Sequence, residues 1–296
     1  MSRRGISSLR KSYGSFLSEI SGQGGGNIIY HKDQISEIIL ENPKKRNALS
    51  GHMINQLIDI LDDLLYHSPQ TIGVVLRGKT PSQHYQHPPV FCAGLDFSLA
   101  KSVINTPEKG VEMCTMMTDA LTRLKQSSIL SVALIHGPAL GGGAELSTAC
   151  DFRAMTSAPS TEIGFVHATI GASPGWGGAT RLLNIVGRNK ALHLLCSAQR
   201  LTPLQAVQYG LCDHIFELSD EEIHSKVDHD HDMLSHYGHT LLSPYLQMPY
   251  PNAVRDLKSL ISKLSESPTE SQLQIEKNMF LKRWGSEENS HALKKK

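Results

Sequence analysis

The chain has 296 residues, 40% of them hydrophobic and 19% charged, and 29 Lys and Arg against 28 Asp and Glu leave a formal charge of +1. That length supports one extended domain or two small ones with a real core; the near-neutral charge excludes a global field drawing the chain to nucleic acid or an anionic membrane, so an anionic ligand must be held by local groups. Five widely spaced cysteines, Cys92, Cys114, Cys150, Cys196 and Cys212, are odd in number and lack CxxC spacing, which points to reduced thiols, and no apolar run approaches the ~20 residues of a membrane span.

The start, MSRRGISSLRKSYGSFLSE, has no apolar core of a secretory signal, but Arg3, Arg4, Arg10, Lys11 and many serines precede the first acid, Glu19. Composition therefore predicts a flexible or targeting tail over residues 1–27, closed by the junction GQGGGN. Such a tail leaves the mitochondrial matrix open as a compartment. Residues 28–40 read as two short strands joined by a polar turn. Ser50 then caps a helix on which Ile54, Leu57, Ile58, Leu61 and Leu65 recur at helical spacing. TIGVVLRG is a buried strand, VFCAGLDF a short apolar run broken by Gly94, and Val111, Cys114, Met117, Leu121 and Leu124 mark one face of a helix. ILSVALIHG is a second buried strand, and GAELSTAC and FRAMT follow as a helix and a strand. LTPLQAVQYGL carries a full set of helix signals: Thr202 at the N-cap, Pro203 in the first turn, Gln205 for a capping box and Gly210 as the stop. CDHIF is a strand. From Ser219 the pattern turns to helices, including 254–264 and roughly 270–283. Strands alternating with helices give an α/β class, with a core over 28–218 and a helical region over 219–296.

Several familiar motifs fail on physical grounds. GASPG, residues 171–175, fits G-x-S-x-G, but the residue that must lend its N–H to an oxyanion is Pro174, which has none. Neither a dinucleotide fingerprint nor a Walker loop is spelled. DHDHDMLSHYGH gathers His229, His231, His236 and His239 without H-E-x-x-H spacing, so no metal and no separate cofactor is expected.

The glycine run of ALGGGAELSTACDF survives. A strand delivers the chain to Gly141, Gly142 and Gly143, and a helix starting there points unsatisfied N–H groups outward at the positive end of its dipole, a place for a developing anion. Tight packing of a strand-to-helix turn would also explain such glycines. A second glycine-centred turn, CAGLD at 92–96, follows another apolar run, so the Leu95 N–H could complete a two-donor hole.

FCAGLDF, HGPALGGGAELSTACDFRAMT, IGFVHATIGASPGWGGATRLLNIVG and LTPLQAVQYGLCDHIF, in that order and spacing, resemble the crotonase (enoyl-CoA hydratase/isomerase) superfamily from about Ile28 to the C-terminus. The resemblance implies a spiral of ββα turns, a C-terminal helical region that forms homotrimers or hexamers, and an acyl-CoA thioester whose CoA is part of the substrate. It also implies a thioester oxygen held by the N–H groups of Leu95 and Gly142, with Ala93, Gly94, Asp96 and Gly141 lining the place, and CoA phosphates near Lys45 and Arg46. Hydratases of the superfamily use two glutamates; Glu145 fills the first position and His167 stands at the second. GGGAELSTACDFR, FVH, PGWGG and EKNMFLKRWG resemble instead its decarboxylating members, which remove CO2 from ethylmalonyl-CoA and methylmalonyl-CoA as a metabolite-clearing activity; this resemblance implies the cytosol, with the mitochondrial matrix the alternative. Losing CO2 from a malonyl thioester leaves an enolate, so donors aimed at its oxygen lower the barrier and no base is needed for that step. His167 then suits the departing carboxylate, Glu145 or His167 the final proton, and Trp176 a pocket wall or core packing. An enoyl-CoA isomerase or hydratase working through Glu145, or a non-catalytic acyl-CoA-binding homologue, is the alternative.

Overall fold

The computed structural model describes residues 8–80, 88–218 and 233–265. Strands β1 (Asn27–His31), β2 (Ile35–Glu41), β3 (Gly73–Gly78), β4 (Leu130–Ile135), β6 (Phe152–Thr156) and β9 (His214–Phe216) form one six-stranded sheet in the order β1-β2-β3-β4-β6-β9. β1 pairs antiparallel with β2, and every later pairing in this sheet is parallel. β5 (Ala139–Leu140), β7 (Ile163–Gly164) and β8 (Arg200–Leu201) make a small second sheet. β3 and β4 are buried along their whole length, which is why they read as continuous apolar runs rather than alternating ones.

The two faces of the central sheet bury different layers. Val74, Leu76, Ala133 and Ile135 pack into the main core with helices α2 (Gly51–Tyr66), α4 (Pro107–Gln126) and α5 (Gly142–Thr148). Val75, Val132 and Leu134 point to the other face and meet α9 (Met233–Leu246) through Leu234 and Leu242, the period-2 alternation of a strand. Gly238 lets α9 lie close on β3, since a Cβ there would come within 2.7 Å of a Val75 methyl. Helix α10 (Pro251–Leu264) is pinned to the end of α4 by Lys258, whose Nζ donates to the Lys125 carbonyl at 2.7 Å and pairs with Asp151. The capping box of Thr202 and Gln205 is present at the head of α8 (Pro203–Tyr209), and Gly210 closes it in the left-handed region.

Two expectations need correction. Residues 9–20 are not a flexible tail: they form helix α1 (Leu9–Ile20), which buries Leu9, Phe16, Leu17 and Ile20 in the main core. Its N-terminal amides at Leu9 and Arg10 donate to the Asp62 carboxylate at 2.8 and 2.9 Å, and Gly51 lets its C-terminal end approach α2, because a Cβ there would strike the Ile20 carbonyl. Arg10, Lys11, Ser12, Ser15 and Ser18, part of what resembled an address, occupy the outer face of this amphipathic helix, and residues 1–7 lie outside the described residues. The buried face of α4 is also rotated: Met113, Met116, Met117, Ala120, Leu121 and Leu124 are buried while Val111 is 64% exposed. Residues 270–283 lie outside the described residues.

Candidate active site

The two glycine turns meet backbone to backbone. Cys92 bridges to Ala139, and its carbonyl accepts the Leu140 N–H at 3.0 Å. Gly94 has φ +96°, and a Cβ on it would stand 2.9 Å from the Gly142 nitrogen; a Cβ on Gly143 would stand 2.0 Å from the Cys92 carbonyl oxygen. Only glycine permits both the positive φ and the approach. Gly141, at φ 54° and ψ −119°, turns the chain from β5 into α5 and donates to the Gly164 carbonyl at 2.9 Å. Gly142 is the first residue of α5, so its N–H lies outside the helical ladder. Among the described residues neither the Gly142 nor the Leu95 N–H meets an acceptor, while Leu49 binds the neighbouring Gly94 carbonyl and Asp96 N–H at 2.8 and 3.0 Å. Trp176 is 5% exposed and walls this place. A Cβ on Gly142 would lie 2.6 Å from the Trp176 Cζ3 atom.

Glu145, one turn into α5, is 2% exposed. Its Oε1 accepts from His167 Nε2 at 3.0 Å and from the Gly175 N–H at 3.2 Å; its Oε2 accepts from the N–H groups of Trp176 and Gly178 at 2.8 and 2.9 Å. Gly178 is obligatory, because a Cβ there would sit 2.3 Å from the glutamate Cγ. Burial by itself pushes the carboxyl pKa up, but the His167 hydrogen bond and the Gly178 and Trp176 amides outweigh it and hold the group below the ordinary glutamate range. An ionised carboxylate only accepts, so Nε2 of His167 carries the hydrogen of their bond. His167 sits in the 3-10 turn Val166–Ile170, its Nδ1 buried without a hydrogen-bond partner among the described residues and its Nε2 3.9 Å from the position of a Cβ on Gly141.

Lys45 and Arg46 lie on the far side of the Gly94 turn. Arg46 takes a left-handed φ of 55° and its carbonyl accepts the Ala93 N–H at 3.1 Å. The Lys45 Nζ is 3.4 Å from Ser98 Oγ and 3.7 Å from Asp96 Oδ1. Asp96 caps α3 (Phe97–Ser102) by accepting the Ser98 N–H at 2.9 Å. Desolvation raises its pKa, yet the Ser98 bonds and Lys45 bring it below the usual value. The structure therefore gathers Gly94, Leu95, Gly141, Gly142, Glu145, His167 and Trp176 at one place and sets Lys45, Arg46, Ala93 and Asp96 along its rim. Of the histidine-rich run, His229 and His231 lie outside the described residues, His239 binds Glu37, and no group of three or more His, Cys, Asp or Glu among the described residues is arranged for a metal ion.

Sequence reasoning missed Arg181 and Thr148. Arg181 is 8% exposed on α6 (Gly178–Val186), and its Nε and Nη2 reach Thr148 Oγ1, the Glu145 carbonyl and the Trp176 carbonyl at 3.0, 3.1 and 2.7 Å. The available signal was its place on the stripe Gly178, Arg181, Leu182 and Ile185, where a charge must be buried and hence partnered.

The sequence matches the family model described as enoyl-CoA hydratase/isomerase over residues 31–295. It is 38% identical to ethylmalonyl-CoA decarboxylase of Xenopus laevis over 273 residues, 92% of this chain and 83% of that one. It is 34% identical to the Homo sapiens protein of the same name over 298 residues, 99% of this chain and 90% of that one. Among solved structures it superposes on an enoyl-CoA hydratase from Bacillus anthracis with a TM-score of 0.75 at 25% identity, covering 92% of this chain and 95% of that one. The chain belongs to the enoyl-CoA hydratase/isomerase family, the crotonase superfamily.

Proposed function

We propose that this protein is a carboxy-lyase that decarboxylates ethylmalonyl-CoA and methylmalonyl-CoA to the corresponding acyl-CoA, a metabolite-clearing reaction. The observation that carries the reading is the pairing of two unengaged N–H groups, on Leu95 and Gly142, with a glutamate whose two oxygens already take two donors each. The thioester oxygen sits between Leu95 and Gly142, with the CoA running toward Lys45 and Arg46. When the bond from the α-carbon to the carboxylate breaks, its electron pair forms the enolate, the oxyanion is held by the two N–H groups, and neutral CO2 leaves. Donors fixed in place before charge develops need no reorganisation, and each is worth on the order of 3 kcal/mol. Trp176 supplies an apolar wall beside Gly142, where a carboxylate is poorly solvated and its loss as CO2 is favoured. The α-carbon takes its proton from His167, which Glu145 orients and water refills; no metal or separate cofactor takes part.

Hydration and isomerisation need a carboxylate free to take a proton from water or carbon, and Glu145 has no vacant acceptor position among its described contacts. The names of the relatives support the same reaction. We also propose a cytosolic homotrimer or hexamer. Exposed Leu192, Leu204 and Val207 on α7 (Arg188–Ser197) and α8 favour self-association, and α1 is built into the core rather than held apart as a removable address. The test is CO2 release from malonyl-, methylmalonyl- and ethylmalonyl-CoA beside hydration and isomerisation of enoyl-CoA esters. Release from the branched thioesters with little hydration is expected. Fast crotonyl-CoA hydration without CO2 release would replace the reading with the hydratase one, and binding without turnover would leave an acyl-CoA-binding protein.

A further inference from the structure

We infer that Arg181 and Thr148 form a positioning strut that holds the Gly175, Trp176 and Gly178 amides on Glu145 and so keeps this carboxylate an acceptor rather than a working acid or base. The strut joins the two segments that meet at the site. On the α5 side, Thr148 Oγ1 donates to the Glu145 carbonyl at 2.6 Å and accepts from Arg181 Nε at 3.0 Å, while Arg181 Nη2 donates to the same Glu145 carbonyl at 3.1 Å. On the loop side, Nη2 also donates to the Trp176 carbonyl at 2.7 Å. The N–H of that same Trp176 binds Glu145 Oε2 at 2.8 Å, so residue 176 is gripped at both ends. Thr118 holds the loop before it by donating to the Gly175 carbonyl at 3.3 Å.

The local sequence has been shaped around the guanidinium. Gly177 adopts φ +78°, and a Cβ on it would lie 2.7 Å from Arg181 Nη1. A buried cation without partners costs several kcal/mol, and here Nε and Nη2 donate to a hydroxyl and two backbone carbonyls. Burial lowers the Arg181 pKa to about 10 against the opposing pull of Glu145, so the strut is charged at neutral pH. The titratable side chains that face Glu145 are His167 through its carboxylate and Arg181 through its carbonyl. Arg181 makes no contact with the Leu95 or Gly142 N–H groups among the described residues, which makes it a positioning residue.

The consequence for reaction type rests on the decarboxylase reading, but the strut itself does not. The measurement is a 13C NMR titration of protein labelled at glutamate Cδ, with the Glu145 resonance identified by its loss in Glu145→Gln, run beside kcat and KM for CO2 release. In the wild-type protein Glu145 should titrate below ordinary glutamates. Arg181→Met and Thr148→Val should raise it by roughly one unit, the scale of a lost hydrogen bond to a charged group, and lower kcat about tenfold with KM for the thioester little changed, with Arg181→Lys recovering part of both. Thr148→Val removes a single hydroxyl and carries the test if Arg181→Met fails to fold. An unmoved Glu145 titration in Thr148→Val, or in a folded Arg181→Met, would overturn the strut. A moved titration in an enzyme that releases no CO2 would leave the strut standing and remove the decarboxylase reading instead.

Discussion

Glu37 and Glu145 are both buried carboxylates with a histidine Nε2 at 3.0 Å. Around Glu37 the remaining donors are side chains, Arg77 Nε at 3.2 Å and Ser235 Oγ at 2.8 Å, and the histidine, His239, is 43% exposed on α9. Around Glu145 they are three backbone N–H groups of one glycine-rich loop, and the histidine lies beside the turn that starts α5. A buried Glu–His pair alone therefore does not mark a reaction site. The Glu37 cluster ties a helix to a sheet, and its geometry depends on rotamers. The Glu145 cluster is fixed by backbone, next to two amides with nothing yet to bind, and backbone donors are what an enolate requires.

The largest effect is expected on the side of the comparison that Glu37 lacks. Gly142→Pro deletes the N–H while leaving a helix start that proline tolerates at its first position, and turnover should fall by at least ~100-fold. Because any Cβ at 142 meets the Trp176 ring, Gly142→Ala is the required partner: it carries the same crowding and keeps the donor. Equal turnover by the Ala and Pro variants would mean that the crowding, not the N–H, is responsible.

Glu145→Gln turns one acceptor into a donor facing amides that are themselves donors, each worth about 1–3 kcal/mol when left unsatisfied. Steady-state CO2 release should drop about tenfold or more. Glu37→Gln should cost comparable stability by thermal denaturation and leave turnover at the wild-type level; a matching loss of turnover would erase the distinction between the two clusters. His167→Ala should weaken binding of malonyl-type thioesters more than of simple acyl-CoA in a calorimetric comparison, and unchanged affinity for both would assign the imidazole to packing.

Removal of residues 1–21 exposes the surface covered by Leu9, Phe16, Leu17 and Ile20, each worth about 1.5–3 kcal/mol on burial. A fall of several degrees or more in the melting temperature is expected, and an unchanged melting curve would make α1 a passenger after all. The smallest effect concerns acid. The Glu145 pKa is depressed in the folded protein, so its contribution is complete above the unfolded glutamate value and fades as the pH falls through the lower folded one. Urea unfolding from pH 6 to pH 3 should show a steeper loss in the wild-type protein than in Glu145→Gln; parallel curves would contradict the sign.

Much of this was legible in the sequence because local chemistry fixed it. Thr202, Pro203, Gln205 and Gly210 bound α8 through caps that need no tertiary partner. The continuous apolar runs of β3 and β4 announced strands buried on both faces. Leu95 and Gly142 could be named because glycine-centred turns and a helix start leave a mark in the chain, whereas Glu145, His167 and Trp176 were named through the resemblance to the crotonase superfamily. What could not be read was long-range. Nothing near residue 145 shows that its carboxylate will be filled by amides 30 to 33 positions later, since amides are present at every such residue. Likewise α1 looked like an address because basic and serine residues occupy its outer face, and only Asp62, some fifty positions on, reveals where its first turn docks.

The most direct test of the Leu95 and Gly142 donors is the carbonyl 13C resonance of butyryl-CoA labelled at the thioester carbon, bound to the wild-type protein, to Gly142→Ala and to Gly142→Pro. Two N–H groups on the oxygen polarise the carbonyl, so a downfield shift on binding is expected in the wild-type and Ala proteins and a smaller one in the Pro protein. A bound resonance that stays at its free position in the wild-type protein would show that no such pair of donors holds the thioester oxygen.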